Sequence, residues 1–259
     1  MSEVHARSAE LRCVALCKSY GSLQVTSELD LDLRRGEVHA LIGPNGAGKT
    51  TALAQLSGEL TPDSGRVMLD DRDITGLSLP ERVHAGIARS YQISSVFHGF
   101  TTRESVELAL QSIEGHSFRF FRPASANRER VSRAGELLET VGLGDVGSTP
   151  AAELSHGQTR QLEIAMALAS GPGALLLDEP MAGMASEEAE SLAGLISSLA
   201  QDAGVLLVEH DMDIVFSVAT RITVLAEGRC IASGSPNEIR SDPEVQRLYL
   251  REDEPVGEH

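Results

Sequence analysis

The sequence lacks several features, and each absence argues against one class of protein. Positive charge is scarce, because 22 Lys and Arg residues stand against 38 Asp and Glu residues and leave a net charge of −16. A general nucleic-acid binder is therefore not expected, since such proteins neutralise phosphates with an excess of basic side chains. No apolar run reaches the about 18 residues that suggest a membrane-spanning helix. The first ten residues, MSEVHARSAE, lack the apolar core of a signal peptide.

Cysteine is also rare, with three residues at Cys13, Cys17 and Cys230. Their spacing matches neither a zinc-binding pattern nor the disulfide framework of a small secreted domain. Reduced thiols in a cytosolic protein are therefore expected. The 259 residues, of which 41% are hydrophobic, suffice for one large domain or for a core domain with a smaller insert.

Two kinds of strand pattern occur along the chain. Residues 29–36, LDLDLRRG, alternate apolar with charged side chains, and the segments around Cys13 and 66–71 look similar, which predicts an N-terminal antiparallel layer. Residues 174–180 and 204–210 are instead short continuous apolar runs that end in charge, as is typical of parallel strands buried on both faces. An amphipathic helix between them completes a strand–helix–strand unit with a parallel sheet.

The remaining segments are interpreted more coarsely. Residues 93–150 carry no buried-strand pattern and are expected to form an inserted helical subdomain, with a further helix from residue 155. Residues 222–234 predict two strands around a Glu227-Gly228 turn. The acidic tail, 251–259, is expected to fray. Residues 1–259 are thus interpreted as a single domain with one insert.

The sharpest motif is GPNGAGKTT, which directly follows a predicted strand and fits the pattern G-x-x-x-x-G-K-[ST]. Glycines let backbone N–H groups curl around a phosphate, the lysine reaches the β- and γ-phosphates, and the threonine hydroxyl suits Mg²⁺. This lysine is one of only two in the chain. The fold is therefore predicted to be an α/β P-loop NTPase (RecA-like) core. The ATP-binding residues of the motif are Gly43, Pro44, Asn45, Gly46, Ala47, Gly48, Lys49, Thr50 and Thr51.

Two carboxylates, Asp178 and Glu179, end the buried strand that begins at residue 174. Asp178 is predicted to hold the Mg²⁺ shell. Glu179 suits a general base that polarises the attacking water. A solvated loop at the end of a strand is the alternative interpretation, and the P-loop earlier in the chain favours catalysis.

The stretch LSHGQ, residues 154–158, predicts the start of a helix. Ser155 lies three residues before Gln158, which is the spacing of a capping box. Gly157 is a poor residue for the first turn of a helix that only has to be stable. Because the positive end of a helix dipole attracts anions, a phosphate close to the backbone would account for this sequence. A plain capping box is the alternative.

In this order, the motifs resemble the ATPase subunit of an ATP-binding-cassette (ABC) transporter, from about residue 10 to 250. GPNGAGKTT resembles the Walker A motif, LLLDEP the Walker B motif and LSHGQ the family signature, which usually reads LSGGQ. SYG resembles the A-loop, ARSYQI the Q-loop and LLVEHD the segment with the switch histidine. The resemblance implies that Tyr20 stacks on adenine, that Gln92 touches Mg²⁺, and that His210 helps hold the charge of the transition state.

The resemblance also implies two cassettes packed head to tail. Ser155, His156, Gly157 and Gln158 would then meet the ATP that is bound to the partner. Other implied partners are integral membrane permease subunits, a second ATPase subunit that is identical or different, and indirectly a substrate-binding protein. The implied ligands are ATP and Mg²⁺, and the implied location is peripheral, on the cytoplasmic side of the cell membrane.

The chain departs from the family pattern at two positions. His156 stands where most relatives have glycine, and its imidazole is expected to point away from the phosphate and to pack at the subunit seam. Ala185 replaces the polar residue of the D-loop, in the stretch PMAGMASEE, which hints at an asymmetric pair of cassettes.

Longer phrases, among them GIARSYQ, LEIAMALA and VEHDM, resemble the ATPases of importers for branched-chain amino acids, hydrophobic amides and urea. The expected function is ATP hydrolysis that drives such an importer. One alternative is a soluble ABC ATPase without a transporter, for which large insertions or paired cassettes are usual. The other is a regulatory module without turnover, against which Glu179 and His210 argue. Two aromatic clusters could dock a membrane partner or pack the insert: Phe118, Phe120 and Phe121, and Val96, Phe97 and Phe100.

Overall fold

The computed structural model describes residues 10–90, 99–113 and 124–250. Gln92 and the aromatic stretch 118–121 lie outside the described residues, as do Val96, Phe97 and the tail. Within the described ranges, every helix is too short or too polar to span a bilayer.

The described residues form ten strands and nine α-helices. The strands are β1 (Leu11–Tyr20), β2 (Leu23–Leu33), β3 (Val38–Ile42), β4 (Ser64–Leu69), β5 (Arg72–Asp73), β6 (Ile87–Arg89), β7 (Ala174–Asp178), β8 (Gly204–Val208), β9 (Arg221–Ala226) and β10 (Arg229–Gly234). The helices are α1 (Lys49–Ser57), α2 (Leu79–Ala85), α3 (Thr102–Ile113), α4 (Ala124–Thr140), α5 (His156–Leu168), α6 (Ser186–Leu199), α7 (Met212–Val218), α8 (Pro236–Ser241) and α9 (Pro243–Leu250).

Two sheets make up the core of the molecule. The first is antiparallel, in the order β2-β1-β4-β5, and confirms the predicted N-terminal layer. The second has the order β10-β9-β3-β8-β7-β6 and is parallel except for the β9–β10 hairpin, which turns at Glu227-Gly228 as predicted. Strands β7 and β8 lie side by side, with Leu176 opposite Leu206, because both are apolar on their two faces.

The parallel sheet is covered on both faces, since successive side chains of a strand point in opposite directions. Leu175 and Leu177 of β7 pack with α5 and α6, whereas Leu176 packs towards α1 and the antiparallel sheet. All three leucines are fully buried. Burial of each such side chain stabilises the fold by about 1.5–3 kcal/mol. The alternating direction of the side chains along β7 determines which face of the sheet each residue packs on.

Helices dominate the described part of the range predicted to be an insert. α3 and α4 pack on each other and on α5, and this layer is closed by Val106, Leu110, Leu138 and Leu162. The bounds 93–150 of a separate subdomain stay a prediction. Helix α5, which begins in the predicted signature, is followed directly by β7, the strand that ends at Asp178.

Candidate nucleotide-binding site

Three parallel strands end at the same edge of the sheet. β3 leads into the P-loop at Gly43, β7 ends at Asp178 and β8 leads to Glu209 and His210. The carboxyl ends of neighbouring parallel strands form the usual ligand crevice of an α/β sheet. The fold therefore brings the predicted P-loop, the paired carboxylates and His210 to one edge.

Close approach of the backbone explains two of the P-loop glycines. A Cβ atom at Gly43 would lie 2.2 Å from the Leu225 carbonyl oxygen, and one at Gly48 would lie 2.4 Å from that of Val25. Gly48 also has a φ of +101°, in the left-handed region that glycine adopts without strain. A larger residue at either position would push the loop away from the sheet edge.

Lys49 is the first residue of α1, and its side chain folds back onto the loop. Its ammonium donates hydrogen bonds of 2.6 Å and 3.0 Å to the carbonyl oxygens of Gly43 and Pro44. The lysine is buried, whereas Thr50 is exposed at the first turn of the helix. The charge is thus held at the loop that is predicted to cradle the phosphates.

Asp178 lies half-buried at the end of β7, and Arg89 is its ion-pair partner. Its Oδ2 accepts a hydrogen bond of 2.9 Å from Nη2 of Arg89. Burial raises the pKa of the Asp178 carboxyl above its ordinary value, while the Arg89 guanidinium acts in the opposite direction. No local pattern pointed to Arg89, because the ion pair depends on β6 lying beside β7.

Glu179 has a backbone φ of +45°, a left-handed conformation that is uncommon for a residue with a side chain. Its N–H donates to the Val208 carbonyl oxygen at 2.9 Å, and its own carbonyl accepts from Ala182 N–H at 3.2 Å. Non-glycine residues held in this way cluster at functional sites. The bond to β8 fixes where the carboxylate leaves the sheet.

His210 is exposed, and the buried residue before it had no predicted role. Glu209 is 1% exposed and accepts hydrogen bonds from the N–H groups of Met181, at 2.9 Å, and His210, at 3.3 Å. Burial raises the pKa of the Glu209 carboxyl. The carboxylate thus joins the loop after Glu179 to the start of the switch segment. A glutamate ending the apolar run GVLLV was the available signal.

The start of α5 has the predicted capping box. Ser155 Oγ accepts from Gln158 N–H at 3.2 Å, and Gln158 Oε1 accepts from Ser155 N–H at 3.0 Å. The imidazole Nε2 of His156 lies 3.0 Å from the Ala182 carbonyl oxygen of the same chain. His156 therefore contacts the loop that follows Glu179, whereas its packing at a subunit seam stays a prediction.

The other candidate residues that the structure describes are exposed. Tyr20 ends β1 with 54% of its surface exposed. Phe100 precedes α3 and is exposed as well. The roles of both residues, and that of Gln92, stay predictions.

A family model described as ABC transporter matches residues 26–182. This chain belongs to the ABC transporter family. The matched region of the cassette includes the P-loop, the signature and the paired carboxylates. The family resemblance and the ATPase activity coupled to transport that it implied are thereby confirmed.

Relatives of this ABC cassette are similar over nearly their whole length. The high-affinity branched-chain amino acid transport ATP-binding protein LivG of Salmonella typhimurium is 36% identical over 244 residues, which cover 92% of this chain and 96% of LivG. BraF of Pseudomonas aeruginosa, which carries the same description, is 35% identical over 249 residues, or 93% and 98% of the two chains. The lipopolysaccharide export protein LptB of Acidithiobacillus ferridurans is 36% identical over 241 residues, or 93% and 96%.

Solved ABC cassettes share the fold. The ADP conformation of the cassette MJ1267 superposes with a TM-score of 0.84 at 30% identity and covers 94% of this chain and 99% of its own. A dimeric, post-hydrolysis state of the cassette MJ0796 with ADP and Pi has a TM-score of 0.73 at 26% identity, with 87% and 98% covered. The α/β P-loop fold is thus confirmed, and nucleotide binding and association with membrane permeases are common to the family.

Proposed function

We propose that this cassette hydrolyses ATP to drive an importer of branched-chain or other hydrophobic amino acids or amides. The observation that carries the proposal is the common sheet edge at which Lys49, Asp178, Glu179 and His210 meet. The descriptions of LivG and BraF support the substrate class. The channel itself is formed by separate integral membrane permease subunits.

The P-loop binds the phosphates of ATP. Backbone N–H groups of residues 43–51 surround them, Lys49 moves from the loop carbonyls to the β- and γ-phosphates, and Tyr20 stacks on the adenine. The donor set of Thr50, Gln92 and Asp178 fits Mg²⁺, since this ion prefers hydroxyl, carbonyl and carboxylate oxygens. When bound there, the ion would supply positive charge against the negative charge that develops on the phosphates.

Glu179 is the general base of the proposed hydrolysis. Its carboxylate takes a proton from the attacking water, and the bond from its N–H to Val208 keeps the backbone in place during that step. His210 then helps hold the charge of the transition state from the adjacent strand end. Glu209 positions His210 through the hydrogen bond to its backbone N–H.

The signature completes the site of a second cassette. Ser155, His156, Gly157 and Gln158 would lie against the partner's ATP, with the N-terminus of α5 facing the γ-phosphate. The dimeric state of MJ0796 supports such a pair. Ala185 in the D-loop favours two different cassettes, linked indirectly to a substrate-binding protein and bound at the cytoplasmic side of the membrane.

Reconstitution tests this function. Liposomes that contain the cassette, the second ATPase and the permease subunits should take up labelled leucine only when ATP is present. Glu179→Gln is the matched inactive control. Uptake that is unaffected by Glu179→Gln would contradict the proposal. Sedimentation of Glu179→Gln with ATP tests the pairing. If the chain stays monomeric even with its partners present, the start of α5 is only a capping box and meets no phosphate of a partner's ATP.

A further inference from the structure

Arg89 is the last residue of β6 and joins two carboxylates that are distant in the sequence. Its Nη2 donates to Asp178 at 2.9 Å, and its Nη1 donates to Oε2 of Glu59 at 2.5 Å. The Arg89 side chain is 10% exposed, whereas that of Glu59 is about half exposed. The Arg89 guanidinium therefore bonds two carboxylates, which we call its anchors: that of Asp178, the proposed metal ligand, and the more exposed one of Glu59.

The Arg89 side chain lies beside a cavity, and its guanidinium carries the two bonds to carboxylates. The residue lines a largely apolar cavity of about 260 Å³ between β6, α2, α3 and α5, together with Ala88, Leu108 and Met166. A guanidinium does not lose its proton in a protein, so the charge beside Asp178 is permanent. Glu59 directly follows Gly58, the C-cap of the helix that begins with Lys49.

We infer that Arg89 competes with Mg²⁺ for Asp178 and that Glu59 retains the guanidinium when it gives up Asp178. The inference rests on the proposed function, in which Asp178 holds the metal shell. Two cations at one carboxylate repel each other strongly where water is partly excluded. Asp178 therefore serves the metal better once Arg89 has left Oδ2, and the bond to Glu59 keeps the guanidinium close by.

The test is ATP binding measured by calorimetry at rising free Mg²⁺, with the full chain in a Glu179→Gln background so that ATP is not consumed. Arg89→Met retains an apolar stem for the cavity and removes the competitor. We expect the Mg²⁺ concentration for half-maximal tightening of ATP binding to fall by about tenfold or more, as the loss of a charge-assisted hydrogen bond suggests. With a chelator present, ATP affinity should match that of the background protein, because the P-loop is unchanged.

Glu59→Gln is the matched variant with the opposite expectation. Without its second anchor, Arg89 should hold Asp178 more firmly and raise the Mg²⁺ requirement by about twofold or more. Loss of the negative charge of Glu59 would also raise the Mg²⁺ requirement through its electrostatic field alone. The double variant distinguishes this effect from the loss of the anchor. In the Arg89→Met background Glu59→Gln should have no effect, whereas independent field effects would add.

Two outcomes would overturn the inference: an unchanged or higher Mg²⁺ requirement in Arg89→Met, or additive effects in the double variant. If Arg89→Met does not fold, Arg89→Gln replaces it, because it also removes the positive charge beside Asp178 and should change the Mg²⁺ requirement in the same direction. Failure of the parent protein to bind ATP with or without Mg²⁺ would count against the proposed function instead.

Discussion

Arg82 offers a direct test of how the helix that carries Lys49 is held. Its guanidinium is 1% exposed and donates to the carbonyl oxygens of Gln55, at 2.7 Å, and Leu56, at 2.8 Å. Both carbonyls belong to the last turn of α1, where a helix has no N–H groups of its own to offer. Two further bonds reach Leu77, at 3.2 Å, and Thr75, at 2.9 Å. We expect Arg82→Met to fill the space while leaving these carbonyls without their donor.

The magnitude follows from the four bonds and from the charge. Four lost hydrogen bonds at about 1 kcal/mol each suggest roughly 4 kcal/mol. Part of this is offset because a buried guanidinium is itself costly, and burial lowers the pKa of Arg82. A net loss of about 3 kcal/mol in the free energy of unfolding lowers Tm by roughly 6–12 °C for a chain of this size.

The assay is thermal unfolding followed by circular dichroism, with Arg66→Met as the matched control. Arg66 is largely exposed, and its nearest carboxylate, Asp73, is 4.0 Å away. An exposed pair of this kind is worth about 0–1 kcal/mol, so the control should hardly change Tm. Equal shifts for the two variants would refute the account, because the destabilisation would then not come from the carbonyls of α1.

Four further predictions concern the site and the buried histidine. Glu179→Gln should retain ATP affinity and lower single-turnover hydrolysis by about 10²–10⁴, the usual contribution of a general base, whereas Lys49→Ala should weaken ATP binding itself. His156→Gly should keep maximal turnover within about threefold, since the imidazole bonds a carbonyl of its own chain and does not face the phosphate; a pH–rate profile that changes with the variant would argue otherwise. Burial lowers the pKa of His39 from 6.5 to about 4, so the unfolded chain alone takes up a proton between these values. In denaturant unfolding, the free energy of unfolding of the wild type should decrease as the pH falls from 6.5 to about 4. In His39→Gln it should decrease less steeply.

Local patterns predicted the parts of the site that depend on neighbours in sequence. The P-loop, the capping box of α5 and the buried strand that ends at Asp178 each arise within a few residues, where glycine conformation, cap geometry and apolar runs decide the structure. The ABC resemblance added the order of these motifs.

Contacts between distant segments were beyond such patterns. His39 lies in the fully buried strand β3, and its ring nitrogens bond the Asp32 carbonyl and the Thr223 hydroxyl, both at 2.8 Å. The partner Thr223 becomes a neighbour only because β9 pairs with β3. The sequence around a polar residue in an apolar run does not indicate which distant strand supplies its hydrogen-bond partner.

The same reasoning explains why the chain of contacts from the signature to the paired carboxylates was missed. His156 was noticed because it replaces a glycine, but its acceptor, the Ala182 carbonyl, depends on how α5 meets the loop after β7. Ala182 in turn donates its N–H to the Glu179 carbonyl at 3.2 Å. Two hydrogen bonds thus connect a residue of the signature with the proposed general base at the chain's own nucleotide. A double-variant cycle tests whether this path couples the two sites energetically. The coupling would be shown only if His156→Gly and Glu179→Gln have non-additive effects on ATP-driven pairing.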